Sequence, residues 1–165
     1  MAEVRWLDSD EQDTWRAYLE GTRLLIQALD RQLETDSGVS FTDYELLVHL
    51  SEAPGRRMRM RDLADATFSS RSGVTRAVTR LEAAGWVRRV ECDDDRRGMH
   101  AELTAAGARK LADTAPGHVA AVRQHMIDQL SAEERAAIRS SLGRMRDGLR
   151  PGPGPGPGRP AEPGE

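Results

Sequence analysis

The sequence predicts a mainly α-helical fold carrying one small β-hairpin. Three observations lead there. Apolar residues recur at three- and four-residue spacing along most of the chain, the period of a helix with one buried face. A single region, Trp86 to Leu103, instead has the β-branched and aromatic content of two short strands around a polar turn. Punctuating pairs such as Ser37-Gly38 and Pro54-Gly55 separate the periodic stretches.

The elements follow in order. Ser9 with Gln12 reads as a capping box. Behind it Trp15, Tyr18, Leu19, Thr22, Leu25, Ile26, Leu29 and Leu33 form one face of a long helix that ends before Ser37-Gly38. Thr42 with Glu45 reads as a second box, opening a shorter helix with Leu46, Leu47 and Leu50, stopped by Pro54-Gly55. An Arg-rich loop leads to a short strand at Met58–Met60 and a small helix over Arg61–Thr67. Ser70 is a good N-cap for the next helix, where Val74, Ala77, Val78 and Leu81 fall at i, i+3, i+4 and i+7. Its opposite face presents Arg71, Ser72, Thr75, Arg76, Thr79 and Arg80, and Gly85 stands where a left-handed cap is wanted. Trp86–Val90 and Met99–Leu103 are the hairpin strands, with Asp93–Gly98 as a charged tip. Thr104 caps a helix whose stripe is Leu111, Ala115, Val119, Val122, Met126 and Leu130, and Pro116 is expected to kink or divide it. Ser131 with Glu134 is a third capping box, before a last helix with Ile138, Leu142, Met145 and Leu149 on one face. From Pro151 the chain reads PGPGPGPGRPAEPGE, which cannot bury enough apolar surface to offset its ordering entropy, so residues 150–165 are expected to be a disordered tail.

Composition narrows the function classes. No apolar run is long enough to cross a bilayer, and no basic-then-apolar start suggests a secretory signal, so the expected location is the cytoplasm. A single cysteine, Cys92, excludes an intrachain disulfide and any multi-cysteine zinc site. His49, His100, His118 and His125 show no ligand spacing. Asp93-Asp94-Asp95 reads as a solvated turn, because three consecutive carboxylates cannot all face one ion. No phosphate loop, metal motif or activated nucleophile is visible, so neither an enzyme nor a cofactor is expected.

The net charge of −3 taken alone argues against nucleic acid, but it is an average. Residues 1–55 hold 4 arginines against 12 acidic residues, net −8; residues 56–100 hold 11 arginines against 7, net +4. The basic centre coincides with the order short helix, turn, amphipathic helix, charged hairpin. That is the plan of a winged helix-turn-helix, in which one helix enters the major groove and a hairpin reaches the neighbouring minor groove. Arg suits guanine O6 and N7, Ser and Thr suit base edges or phosphate, and a capped helix N-terminus suits a phosphate.

In these residues the sequence resembles the MarR family of bacterial transcription regulators. The matching stretches are DLADATFSSRSGVTRAVTRLEAAGWVRR and DDDRRGMHAELTAAG, the second with Asp95-Arg96-Arg97 followed by Leu103-Thr104 and Gly107. The resemblance extends over about residues 10–149. It implies a helical dimerisation region from residues 1–36 and 104–149, around a winged helix-turn-helix over 40–103. It implies a homodimer on a pseudo-palindromic double-stranded DNA operator, acting as a ligand-responsive repressor. Carried over position by position, Ser70, Arg71, Ser72, Thr75, Arg76 and Arg80 become recognition-helix contacts, and Asp95, Arg96 and Arg97 become the wing. Trp15, Tyr18 and Arg23 are candidates for an effector pocket; for Trp15 and Tyr18 a place in the dimer core is the favoured reading, as they lie on the apolar stripe. The long first helix lacks the reactive cysteine of redox-sensing members, and Cys92 stands beside carboxylates that disfavour a thiolate. The alternative class is a winged-helix module that binds protein partners without specific DNA binding.

Overall fold

The computed structural model describes residues 4–92 and 95–149, with only the backbone described at Cys92 and 95–97. The expected tail, 150–165, and the acidic pair Asp93-Asp94 lie outside the described residues. The chain divides into two units, Met1–Met126 and Ile127–Glu165.

In the first unit the order is α1 (Ser9–Ser37), α2 (Phe41–Glu52), a 3-10 turn (Pro54–Arg56), β1 (Arg57–Arg59), α3 (Met60–Ala66), α4 (Arg71–Ala83), β2 (Val87–Cys92), β3 (Asp95–Leu103) and α5 (Ala105–His125). The three strands form one antiparallel sheet in the order β1-β3-β2. Arg57 faces Glu102 across the first pair and Val87 faces Leu103 across the second. The core lies where α2, α3 and α4 meet the base of this sheet. Leu46, Leu50, Leu63, Val78 and Ala101 are fully buried there, and Leu47, Val74, Ala77, Leu81 and Val87 nearly so. A second cluster, Leu33, Val39 and Tyr44, joins the end of α1 to α2. At about 1.5–3 kcal/mol for each fully buried large aliphatic side chain, this core holds α2, α3, α4 and the sheet together.

Several boundaries shift from the sequence expectation. The N-cap of α1 is Asp8, not Ser9: its side chain accepts from Glu11 N at 2.9 Å while Glu11 accepts from Asp8 N at 3.0 Å. The N-cap of α2 is Ser40, not Thr42, accepting from Asp43 N at 3.1 Å. In both places neighbouring residues can cap, and spacing alone does not choose between them. The hairpin tip is shorter than expected, since β3 already begins at Asp95. Pro116 lies inside α5 without dividing it. The inward face of α5 is also rotated from the expected stripe. Gly107, Thr114 and Ala121 are buried, whereas Val119 is 54% exposed. Small residues allow α5 to lie close to α1, and a Cβ at Gly117 would stand 3.2 Å from Gln32 Nε2.

In α1 only Leu29 and Leu33 are buried, so the apolar stripe is covered at its end but not at its start. The second unit holds a 3-10 turn (Ile127–Gln129) and α6 (Ala132–Leu149). The expected box is present: Glu134 accepts from Ser131 N at 2.7 Å and Ser131 accepts from Glu134 N at 3.2 Å. No residue of α6 is buried.

Candidate nucleic-acid interface

The polar face of α4 divides into anchored and unanchored side chains. Ser70 caps the helix, accepting from Gly73 N at 3.1 Å, and its hydroxyl lies 3.2 Å from that of Ser72. Thr75 Oγ1 donates to Arg71 O and Thr79 Oγ1 donates to Thr75 O, each at 2.8 Å. Those hydroxyl protons are spent within the helix, so Thr75 meets an outside group as an acceptor. Arg71 and Arg76 are exposed and make no hydrogen bond or ion pair among the described residues. They are the groups on this face with their full donor sets available, next to a helix N-terminus whose dipole favours anions.

Arg80 is engaged. Its Nη2 donates to Asp43 Oδ1 at 2.8 Å and its Nε to Asp43 Oδ2 at 3.3 Å. The hydrogen bond to Asp43 raises the Arg80 pKa further above its ordinary value, more than burial lowers it. Because Asp43 is nearly buried in α2, this forked pair fixes the rotation of α4 on α2.

Arg89 is a residue that sequence reasoning missed. From β2 it donates to Glu82, to Thr79 Oγ1 at 2.7 Å and to Thr75 O at 3.2 Å. Glu82 also accepts from Arg89 N at 3.1 Å. One guanidinium thus ties the hairpin base to the polar edge of α4. Arg88 pairs with Glu102 across β2 and β3 at 2.6 Å. The only sequence signal was two adjacent arginines in a strand, which does not say that one of them turns back onto a helix.

Below the helix the chain turns tightly. Gly85 has φ +75°. Thr104 Oγ1 donates to Gly85 O at 2.7 Å and accepts from Gly107 N at 3.0 Å. A Cβ on Gly107 would come within 2.1 Å of Trp86 O, so the Leu-Thr-x-x-Gly spacing seen in the sequence is a steric requirement. Lys110 Nζ lies 5.1 Å from the Trp86 ring centre and donates to Ser37 O, joining the end of α1 to the same turn.

The wing residues Asp95, Arg96 and Arg97 lie at the start of β3, the central strand of the sheet, and only their backbone is among the described atoms. Arg23 lines a cleft of about 510 Å³ between α1 and α2, with Ile26, Asp30 and Phe41. Trp15 and Tyr18 do not reach it. They stack on each other at 6.3 Å on the uncovered half of α1. Among the described residues no group of three His, Cys, Asp or Glu side chains could hold a metal, and no helix is long and apolar enough to cross a membrane.

Comparison with known proteins agrees with this architecture. The MarR family model matches residues 37–98. The crystal structure of Sco3205 from Streptomyces coelicolor, a MarR family transcriptional regulator in complex with DNA, superposes with a TM-score of 0.87 at 46% identity, covering 92% of this chain and 94% of that one. AbsC from the same organism, also a MarR family transcriptional regulator, gives 0.83 at 44% identity over 88% and 98% of the two chains. The transcriptional repressor MprA of Escherichia coli is 32% identical over 101 residues, so the match spans 58% of this chain but just over half, 57%, of that relative. With nearly all of a relative 46% identical covered, the chain belongs to the MarR family of transcriptional regulators.

Proposed function

We propose that the chain is a sequence-specific DNA-binding repressor that acts in the cytoplasm as a homodimer on a pseudo-palindromic operator. The observation that carries this is the state of α4: its apolar face is wholly buried, Arg80 and Thr79 are anchored, and Arg71 and Arg76 are left with open donors beside the capped N-terminus. Ser70, Arg71, Ser72, Thr75 and Arg76 are assigned to the major groove and its phosphates, with Arg80 chiefly holding α4 in place. Asp95, Arg96 and Arg97 are assigned to the wing, where a narrow minor groove attracts Arg. In this reading 40–103 is the reading head, and 1–36 with 104–149 is the dimerisation region. That assignment is supported by the uncovered apolar positions of α1 and α6, including Trp15, Leu142 and Met145. The cleft at Arg23 suits a small-molecule effector. An effector bound more tightly by a dimer with wrongly spaced heads shifts the population away from the DNA-competent form.

The test is selection of bound sequences from a random duplex pool, followed by affinity measurement across salt. Enrichment of a palindrome and a steep fall of affinity with salt are expected. Arg76→Ala should weaken binding by about 1–3 kcal/mol and blur the preference at one position of each half-site. An equal loss on every sequence would reassign Arg76 to phosphate. A salt-insensitive dimer that enriches no sequence would favour the protein-interaction module instead.

A further inference from the structure

The turn between α3 and α4 contains a residue that the polypeptide itself does not need. Thr67 is the C-cap of α3, and the chain leaves through a Schellman motif: Ser69 N donates to Ala64 O at 3.0 Å and Phe68 N to Asp65 O at 3.4 Å. The residue after the cap must then be left-handed, which is why glycine is usual there. At the corresponding exit of α1 the chain uses Gly38, φ +63°, and after α4 it uses Gly85, φ +75°. After α3 it uses Phe68, φ +50°. A bulky side chain in that region is an outlier with a real conformational cost. Packing within the chain does not offset it, because Phe68 is 80% exposed.

Position tells what such a side chain meets. Phe68 is two residues from the Ser70 N-cap and three from Arg71, so it continues the surface just assigned to DNA. Its neighbours Asp65, Thr67, Ser69, Ser70 and Arg71 are polar or charged, so this is a lone aromatic in a polar surface rather than a contiguous apolar patch of the kind that joins two proteins. A duplex offers apolar groups in that setting: thymine C5-methyl groups along the major groove, and deoxyribose faces between phosphates. We propose that Phe68 is a DNA-contacting residue that packs against thymine methyl groups at the edge of the groove entered by α4, giving the operator a thymine preference beside the contacts of Arg71 and Arg76. This rests on the DNA-binding reading above.

The experiment uses the full chain and an operator selected by it, comparing wild type with Phe68→Gly. Glycine suits the left-handed position, so the variant should melt no lower than wild type. Its operator affinity should nevertheless fall by roughly fourfold for each methyl contacted, the factor that one buried methyl-sized group supplies. The salt slope should not change, because an apolar contact releases no counterion. Replacing the outlying thymines by uracil, which lacks the methyl, should weaken the wild type by the same factor and leave Phe68→Gly unaffected. Equal affinity of the two proteins overturns the inference while leaving the DNA-binding reading intact. So does an equal loss on uracil substitution. A wild-type chain that selects no duplex overturns both.

Discussion

Helices α1 and α4 both carry a clear apolar stripe in the sequence, and the chain treats them in opposite ways. In α4 the four stripe residues, Val74, Ala77, Val78 and Leu81, are 0–1% exposed. In α1 the stripe is covered only at Leu29 and Leu33, while Trp15 is 52% and Ile26 39% exposed. Periodicity identifies a face that wants cover, but not whether the cover comes from the same chain. The stripe of α4 is closed by its own chain; at the start of α1 the stripe stands exposed.

The largest expected contrast tests that difference directly. Leu81→Ala should cost about 2–5 kcal/mol, because it opens a cavity in a closed core. Trp15→Ala should cost the isolated chain far less, and its effect on thermal melting should grow with protein concentration where a second copy supplies the cover. A concentration-independent loss at Trp15 as large as that at Leu81 would break the comparison. A smaller contrast uses two glycines. Gly107→Ala forces a Cβ into Trp86 O and should destabilise by about 1–3 kcal/mol. Gly21→Ala, in α1 with nothing within 4 Å, should stabilise by roughly 0.5–1 kcal/mol in chemical denaturation. A loss at Gly21 would mean that this part of α1 is closely packed in solution.

The smallest effect is a dependence on pH. Burial against Tyr44, 4.5 Å between ring centres, holds the His118 pKa below its ordinary value of 6.5. As pH falls through 6.5 the unfolded chain therefore takes up a proton that the folded chain refuses. The His118 contribution is fully present above that value, declines below it, and levels off once the folded imidazole also protonates. Melting temperature should fall on mild acidification, and His118→Gln should flatten part of that slope. An identical slope in the variant would assign the dependence to other groups.

The head was the more legible region. Its core face, the Ser70 cap, the Thr104 cap and the hairpin all follow from local spacing, because local chemistry decides them. What sequence could not show was of three kinds. Nearby residues with similar capping chemistry, Asp8 with Ser9 and Ser40 with Thr42, hid the true starts of α1 and α2. Contacts between distant positions were invisible: Asp43 with Arg80 spans 37 residues, and Arg89 turns back onto α4 only once β2 has been placed. The inward face of α5 was missed for a third reason. Gly107, Thr114 and Ala121 are buried through smallness, Gly107 against the Trp86 backbone, and a hydrophobicity template looks for size. In the candidate interface, residue types were readable but their states were not, so Arg80 and Arg76 looked alike until one was found anchored.

The bond from Lys110 to Ser37 carries a consequence for motion. It joins positions 73 residues apart, one just before the segment proposed above as the reading head and one just after it. Both ends of the head therefore leave the helical scaffold from nearly one point, like a lobe tied at its stem. A lobe with two separated roots would have to bend to follow its scaffold. A lobe with one stem can swing as a rigid piece, keeping α4 and the hairpin in register while their bearing on the scaffold changes.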